Sequence, residues 1–169
     1  NSRSVMLVTC SRKGIGKAIS EYYCEKGNVV IGCSRQSSDF RHENYFHHQL
    51  DVSDETAAKE LFRHIKRTYE RLDVLVNNAG VGSMNHSLLT PLKTARKILD
   101  TNVIGTFLYS REAAKLMMKT GGGRIVNFSS FAVPFKLEGE AIYAASKAAI
   151  VTLTEILARE YADSGITVN

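Results

Sequence analysis

Two hydrophobic rhythms alternate along the whole chain. "VMLVT" (Val5 to Thr9) is a short unbroken apolar run, after which Ile15, Ala18, Ile19, Tyr22 and Tyr23 recur at helical spacing until Gly27 supplies a stop. "NVVIGCS" reads as a second strand and "YFHHQL" (Tyr45 to Leu50) as a third. Asp54 is placed to cap a helix whose Ala58, Leu61, Phe62, Ile65 and Tyr69 share one face. "DVLVNN" gives strand four, a long helix runs from about Thr94 to Met118, "RIVNFS" gives strand five, and a helix from about Ile142 to Ala162 precedes "ITVN".

The strands are continuous apolar runs, as expected of a sheet buried on both faces. Right-handed crossovers between parallel strands give a doubly wound α/β sheet, with its crevice beyond the carboxyl ends of the strands where their order reverses. The pattern predicts a single domain over residues 1–169, without linker, repeat or low-complexity segment. The informative residues are then those just after strands.

Composition narrows the picture a little. At 169 residues, 44% hydrophobic and 23% charged, the chain suits one core. Its net charge of +5 is spread without a basic run or a facing row of aromatics, so no nucleic-acid partner is expected; a nucleic-acid-binding domain has only that charge in its favour. Cys10, Cys24 and Cys33 form no CxxC pair and no metal-ligand spacing, which reads as a reduced, intracellular protein. No apolar run of membrane-spanning length and no signal-peptide pattern is seen, so the expectation is a cytoplasmic protein without a membrane partner. Among the histidines, His47 and His48 alternate across a strand and point to opposite faces, and no metal is expected.

The first place just after a strand is "TCSRKGIG", Thr9 to Gly16. Gly14 and Gly16 lie at a helix start, where free backbone N–H groups favour an anion and missing side chains permit close approach. A Walker-type loop is excluded, because "GIGKA" has no Ser or Thr after its lysine.

The spacing Thr-x4-Gly-x-Gly after the first strand resembles the Thr-Gly-x3-Gly-x-Gly loop of the short-chain dehydrogenase/reductase family. The resemblance extends to "NNAG" (Asn77 to Gly80) closing strand four, "DTNVIG" placing Asn102 in the long helix, "NFSS" ending strand five, and "YAASK" opening the next helix. Ser130 stands thirteen residues before Tyr143, near the family interval, and the likeness runs from Val5 to Asn169. It implies a Rossmann-like fold and a carbonyl reductase resembling the 3-oxoacyl-carrier-protein reductases, acting on a small carbonyl or alcohol substrate and forming homodimers or tetramers.

The chemistry of the quartet Asn102, Ser130, Tyr143 and Lys147 is physically coherent. Tyr143 and Lys147 are i and i+4 and project from one helix face. A free tyrosine titrates at about 10, too high for easy proton exchange near neutrality, and an adjacent ammonium favours the phenolate. Tyr143 is then the acid, Lys147 its activator and a ligand of the nicotinamide ribose, and Ser130 a donor to the carbonyl oxygen. By resemblance, Asn102 holds a water linking Lys147 to solvent. Taken singly, Tyr143 also reads as a packing residue, Lys147 as a solvated charge, Ser130 as a turn cap and Asn102 as satisfying a helix irregularity beside Gly105.

At the end of strand two, "GCSRQ" offers Ser34 and Arg35 where an NAD site usually presents a carboxylate, so NADP(H) is favoured over NAD(H), with Arg12 or Lys13 adding positive charge. The resemblance implies cofactor contacts at Thr9, Gly14, Ile15 and Gly16, at Asp51 and Val52 beside the adenine, and at Asn78, Ala79 and Gly80; Asn77 also reads as a strand bridge. Cys10 replaces the family's first loop glycine, which predicts weakened dinucleotide binding. The family continues beyond "GITVN" with a final strand and a substrate lid, so this chain is expected to be a C-terminally incomplete member or fragment. The alternative reading is a catalytically impaired dinucleotide-binding regulator or scaffold.

Overall fold

In the computed structural model, which describes residues 3–169, six parallel strands form one sheet. They are β1 (Val5–Thr9), β2 (Val29–Ser34), β3 (Tyr45–Gln49), β4 (Val74–Asn77), β5 (Gly123–Asn127) and β6 (Ile166–Val168), in the order β3-β2-β1-β4-β5-β6. Between them run α1 (Gly14–Glu25), α2 (Glu55–Tyr69), α3 (Leu92–Leu99), α4 (Gly105–Met117), α5 (Ala132–Phe135) and α6 (Ala141–Tyr161). Asp54 caps α2 as the sequence predicts, its Oδ1 accepting the Ala57 N–H at 3.0 Å.

Register explains the two-sided core. Ile31, Leu7, Leu75, Ile125 and Val168 are successive partners across β2, β1, β4, β5 and β6. This row packs with Leu61 and Phe62 of α2, Tyr109 of α4 and Leu157 of α6. Each such side chain contributes roughly 1.5–3 kcal/mol by leaving water. On the opposite face Met6, Val8, Val30 and Val76 pack with Cys24 of α1. The chain leaves β1 toward β2 on one side and returns to β4 on the other, so the connections diverge at their carboxyl ends and open the crevice where ligands bind in such sheets.

The long helix foreseen over Thr94 to Met118 is broken in pitch. A π-helical turn, Asp100–Ile104, separates α3 from α4, and the Gly105 N–H reaches back to the Asp100 carbonyl. A second correction concerns membrane-spanning length: the helical segment Ala141–Ser164 is long and apolar enough, with a mean hydropathy of 1.4. Its abundant alanines score as apolar without forming an unbroken run of large side chains. In the fold this helix packs on β6, α3 and the π turn.

Candidate active site

The loop from β1 to α1 is shaped for an anion. A Cβ on Gly16 would lie 2.5 Å from the Cys10 carbonyl oxygen and 2.5 Å from the Asn78 amide nitrogen, so only glycine allows this close approach. Lys13 at the N-cap supplies no side-chain cap, and the first turn of α1 has no acidic residue. The helix N-terminus therefore keeps N–H groups that no side chain caps, a position that favours an anion. Cys10 sits at φ +54, the left-handed region, which costs a non-glycine residue about 1–2 kcal/mol.

The ends of β1 and β4 are tied together. The Thr9 hydroxyl donates to the Val76 carbonyl at 3.4 Å and accepts the Ala79 N–H at 2.9 Å. Asn78 donates to the Thr9 carbonyl at 3.0 Å and borders the central cavity. Thr9 itself is buried, so its hydroxyl holds the crevice rather than facing a ligand. Asn77 bridges to Ser110 and Asn127 at 3.0 and 2.8 Å, the strand-bridging alternative foreseen for it.

Beyond β2, Arg35 and Lys13 are exposed and Arg12 is half-buried. Ser34 is turned inward: its hydroxyl donates to the Gln36 carbonyl at 2.7 Å and meets His47 Nε2 at 3.0 Å. His47 Nδ1 meets the Tyr45 hydroxyl at 2.8 Å, and that hydroxyl meets Ser11 Oγ at 2.8 Å. Gly32 leaves the space this chain of bonds needs, since a Cβ there would strike both Ser11 Oγ and the Tyr45 hydroxyl. The relay joins the glycine loop to the β2 end. Burial lowers the His47 pKa, and the charges of Arg41 and Arg12 add to that against a hydrogen bond with the Gln36 carbonyl. Asp39, unforeseen, pairs with Lys17 at 3.1 Å, and that hydrogen bond and charge lower its pKa.

Asp51 Oδ1 accepts from the Ser53 N–H at 3.0 Å and its hydroxyl at 2.7 Å. Burial works to raise the Asp51 pKa, but these bonds and the charges of Arg35 and Lys97 outweigh it, leaving it lowered. Val52 is buried beneath Gly105, where a Cβ would lie 3.0 Å from Val52 Cγ2.

At the carboxyl ends of β4 and β5 a cavity of about 440 Å³ brings together Ile15, Asn78, Gly80, Ser130, Tyr143 and Lys147. Larger clefts lie elsewhere, at the β3 edge and beside α2, so the convergence of side chains rather than volume marks this site. The Tyr143 ring lies against Gly82, where a Cβ would sit 3.3 Å from it. Lys147 is 6% exposed, and its Nζ donates to the Phe128 carbonyl at 2.7 Å. Burial holds the Lys147 pKa below the ordinary lysine value. Ser130 Oγ accepts the Ala132 N–H at 3.2 Å, starting α5, and keeps its own proton to donate.

Asn102 does not line the cavity. Its Oδ1 accepts the Val81 N–H at 2.8 Å, and its Nδ2 donates to the Val81 carbonyl at 2.9 Å and to Ser146 Oγ at 3.0 Å. The side chain thus ties the segment after β4 to the π turn that carries Asn102 and to α6, and it bonds no backbone group of the turn itself. Glu140, at the entry to α6, borders the cavity and was not singled out by the sequence.

The sheet order and the uncapped glycine loop define a class: a doubly wound, Rossmann-like α/β domain. The chain belongs to the short chain dehydrogenase family, whose model matches residues 4–169. It is 33% identical over 171 residues to an NAD-dependent glycerol dehydrogenase of Listeria innocua, covering 98% of this chain and 67% of that protein. It is 34% identical to a 3-oxoacyl-[acyl-carrier-protein] reductase of Vibrio cholerae, covering 98% and 70%. The crystal structure of a short-chain dehydrogenase from Streptomyces avermitilis superposes with a TM-score of 0.94 at 33% identity, covering 99% of this chain. This chain spans 64% of the length of that one.

Proposed function

We propose that the chain carries the active site of an NADP(H)-dependent carbonyl reductase, with Tyr143 as proton donor, Lys147 as its activator, Ser130 as hydrogen-bond donor to the carbonyl oxygen, and Asn102 as the residue that fixes the adjoining segment. The observation that carries this reading is the opening of Ser130, Tyr143 and Lys147 onto one cavity beside the glycine loop. The relatives' names point to two substrate types, a 3-oxoacyl thioester and glycerol, which share a carbonyl/secondary-alcohol interconversion.

The dinucleotide's diphosphate would rest on Gly14, Ile15, Gly16 and the N-terminus of α1, its adenosine near Asp51, and its nicotinamide ribose near Gly80 and Lys147. When bound, the nicotinamide supplies the hydride. Tyr143 gives its proton to the carbonyl oxygen as negative charge builds there, and the Lys147 ammonium stabilises the phenolate left behind. Ser130 donates to the same oxygen and fixes its direction. Because burial lowers the Lys147 pKa, this positive charge is lost at a lower pH than in a free lysine, and activity falls on the alkaline side accordingly.

NADP(H) is proposed over NAD(H) because β2 ends in Ser34 and Arg35 rather than a carboxylate, with Lys13 exposed nearby. A homo-oligomer is part of the reading, supported by exposed apolar side chains on the two long helices, Phe107 of α4 and Val151 and Ile156 of α6. The three free thiols support a reducing, cytoplasmic setting.

The test is loss of NADPH absorbance with an acetoacetyl thioester and a panel of small ketones, alongside NADPH and NADH dissociation constants for the wild type and Arg35→Ala. The reading expects turnover and an NADPH preference that Arg35→Ala narrows at least tenfold. Dinucleotide binding with no ketone turned over would instead favour a binding regulator.

A further inference from the structure

Glu140 stands three residues before Tyr143, at the N-cap of α6, and borders the same cavity as Tyr143 and Ser130. Among the described residues, its Oε2 is the buried side-chain polar atom that has no hydrogen-bond partner. An oxygen taken from water without replacement costs about 1–3 kcal/mol, and native folds keep few of them. The fold does not use this carboxyl. Glu140 makes no side-chain cap to α6, and only its backbone is engaged, its N–H with the Leu137 carbonyl at 3.3 Å and its carbonyl with the Ala144 N–H at 2.7 Å. Lys136 donates to the Val133 carbonyl and Lys147 to the Phe128 carbonyl, so neither lysine of this neighbourhood turns to it.

Glu140 immediately precedes α6, whose first turn carries Tyr143, and both side chains line one cavity. A donor completing Glu140 would therefore sit within a few bonds of a carbon reacting at Tyr143. We propose that Glu140 is a substrate-recognition residue whose carboxyl accepts a hydrogen bond from a hydroxyl or ammonium group near the reacting carbon, so that the site selects hydroxy- or amino-substituted ketones and their alcohols over plain alkyl ones. A carboxyl that meets a donor in one ligand and nothing in its isostere discriminates because the second leaves it unpaired. This assignment rests on the carbonyl-reductase reading of the cavity.

The experiment uses three alcohols of equal heavy-atom count: propane-1,2-diol, 1-amino-2-propanol and butan-2-ol. Their dissociation constants are measured by ligand-observed NMR, with and without NADP⁺, for the wild type, Glu140→Gln and Glu140→Ala. The proposal expects the diol or the amino alcohol to bind at least tenfold more tightly than butan-2-ol, the better of the two identifying the donor. Glu140→Ala should erase the preference, Glu140→Gln should keep part of it for the diol alone, and the Glu140→Ala melting midpoint should stay level or rise. Equal binding of all three by the wild type, a preference that survives in Glu140→Ala, or a melting midpoint that drops with the carboxyl gone would overturn it. Oxidation of the alcohols is scored separately. A Glu140-dependent binding preference without turnover upholds the recognition site and defeats the reductase reading, while equal turnover of all three does the reverse.

Discussion

Asn102 and Val81 hold each other by a reciprocal pair of hydrogen bonds, amide oxygen to backbone N–H at 2.8 Å and amide N–H to backbone carbonyl at 2.9 Å. The pair lies beneath the segment that carries Gly80 and Gly82 past Lys147 and Tyr143. Asn102→Ala leaves two partly buried backbone groups unsatisfied. It should cost about 2–4 kcal/mol and lower the melting midpoint by roughly 5–15 °C. Scanning calorimetry checks this, and a midpoint within a degree of the wild type would show that the pair holds nothing.

Cys10 provides the second prediction. At φ +54 it occupies a conformation in which glycine carries no steric cost. Cys10→Gly should raise stability by about 1 kcal/mol, read as a shift of the urea midpoint at unchanged slope, and should tighten NADPH binding. Unchanged NADPH affinity would refute the weakened site expected from the sequence.

Gly16 is the opposite case, because space rather than backbone angle is limiting. An added methyl would meet the Cys10 carbonyl and the Asn78 amide, each at 2.5 Å. Gly16→Ala should displace the Asn78 bond to Thr9 and lower NADPH affinity at least tenfold in a fluorescence titration. Full affinity in that variant would remove the loop from the dinucleotide site.

The histidines of β3 set an acid limit on stability. Burial lowers the pKa of both His47 and His48, for His48 with added repulsion from His64 and His47. The unfolded chain therefore binds more protons than the folded one below the ordinary value of 6.5. Stability is full above that pH and falls as pH drops through the lowered folded values. Urea midpoints measured at about pH 7 and pH 5 should show this fall, and His47→Gln combined with His48→Gln should flatten it. An equal slope in the double variant would place the acid sensitivity elsewhere.

The strands and long helices were legible because their apolar residues follow simple periods, and Leu7, Ile31 and Leu75 fall in one buried row as continuous apolar strands require. Tyr143 and Lys147 were legible because i and i+4 share a helix face, which brings both to one cavity. The π turn was not, since one extra residue taken into a single turn leaves the apolar spacing on either side still reading as helix. Helix α5 has four residues, too few to show a period. The relay was half legible: Tyr45 and His47 share one face of β3 by alternation, but their partners come from elsewhere, Ser11 from the loop after β1 and Ser34 from the end of β2. Thr9 and Ser34 stand where expected, yet their hydroxyls are taken up inside the protein, which no spacing reveals. Glu140 was overlooked because an orphaned oxygen is defined by what fails to surround it.

The central claim is that the Tyr143 hydroxyl supplies the proton to a carbonyl beside Lys147. The direct measurement is steady-state ketone reduction by Tyr143→Phe with NADPH affinity determined on the same preparation. Loss of this acid should lower kcat by about 100-fold to 10,000-fold while NADPH binds as in the wild type. Turnover within a few-fold of the wild type would contradict the account.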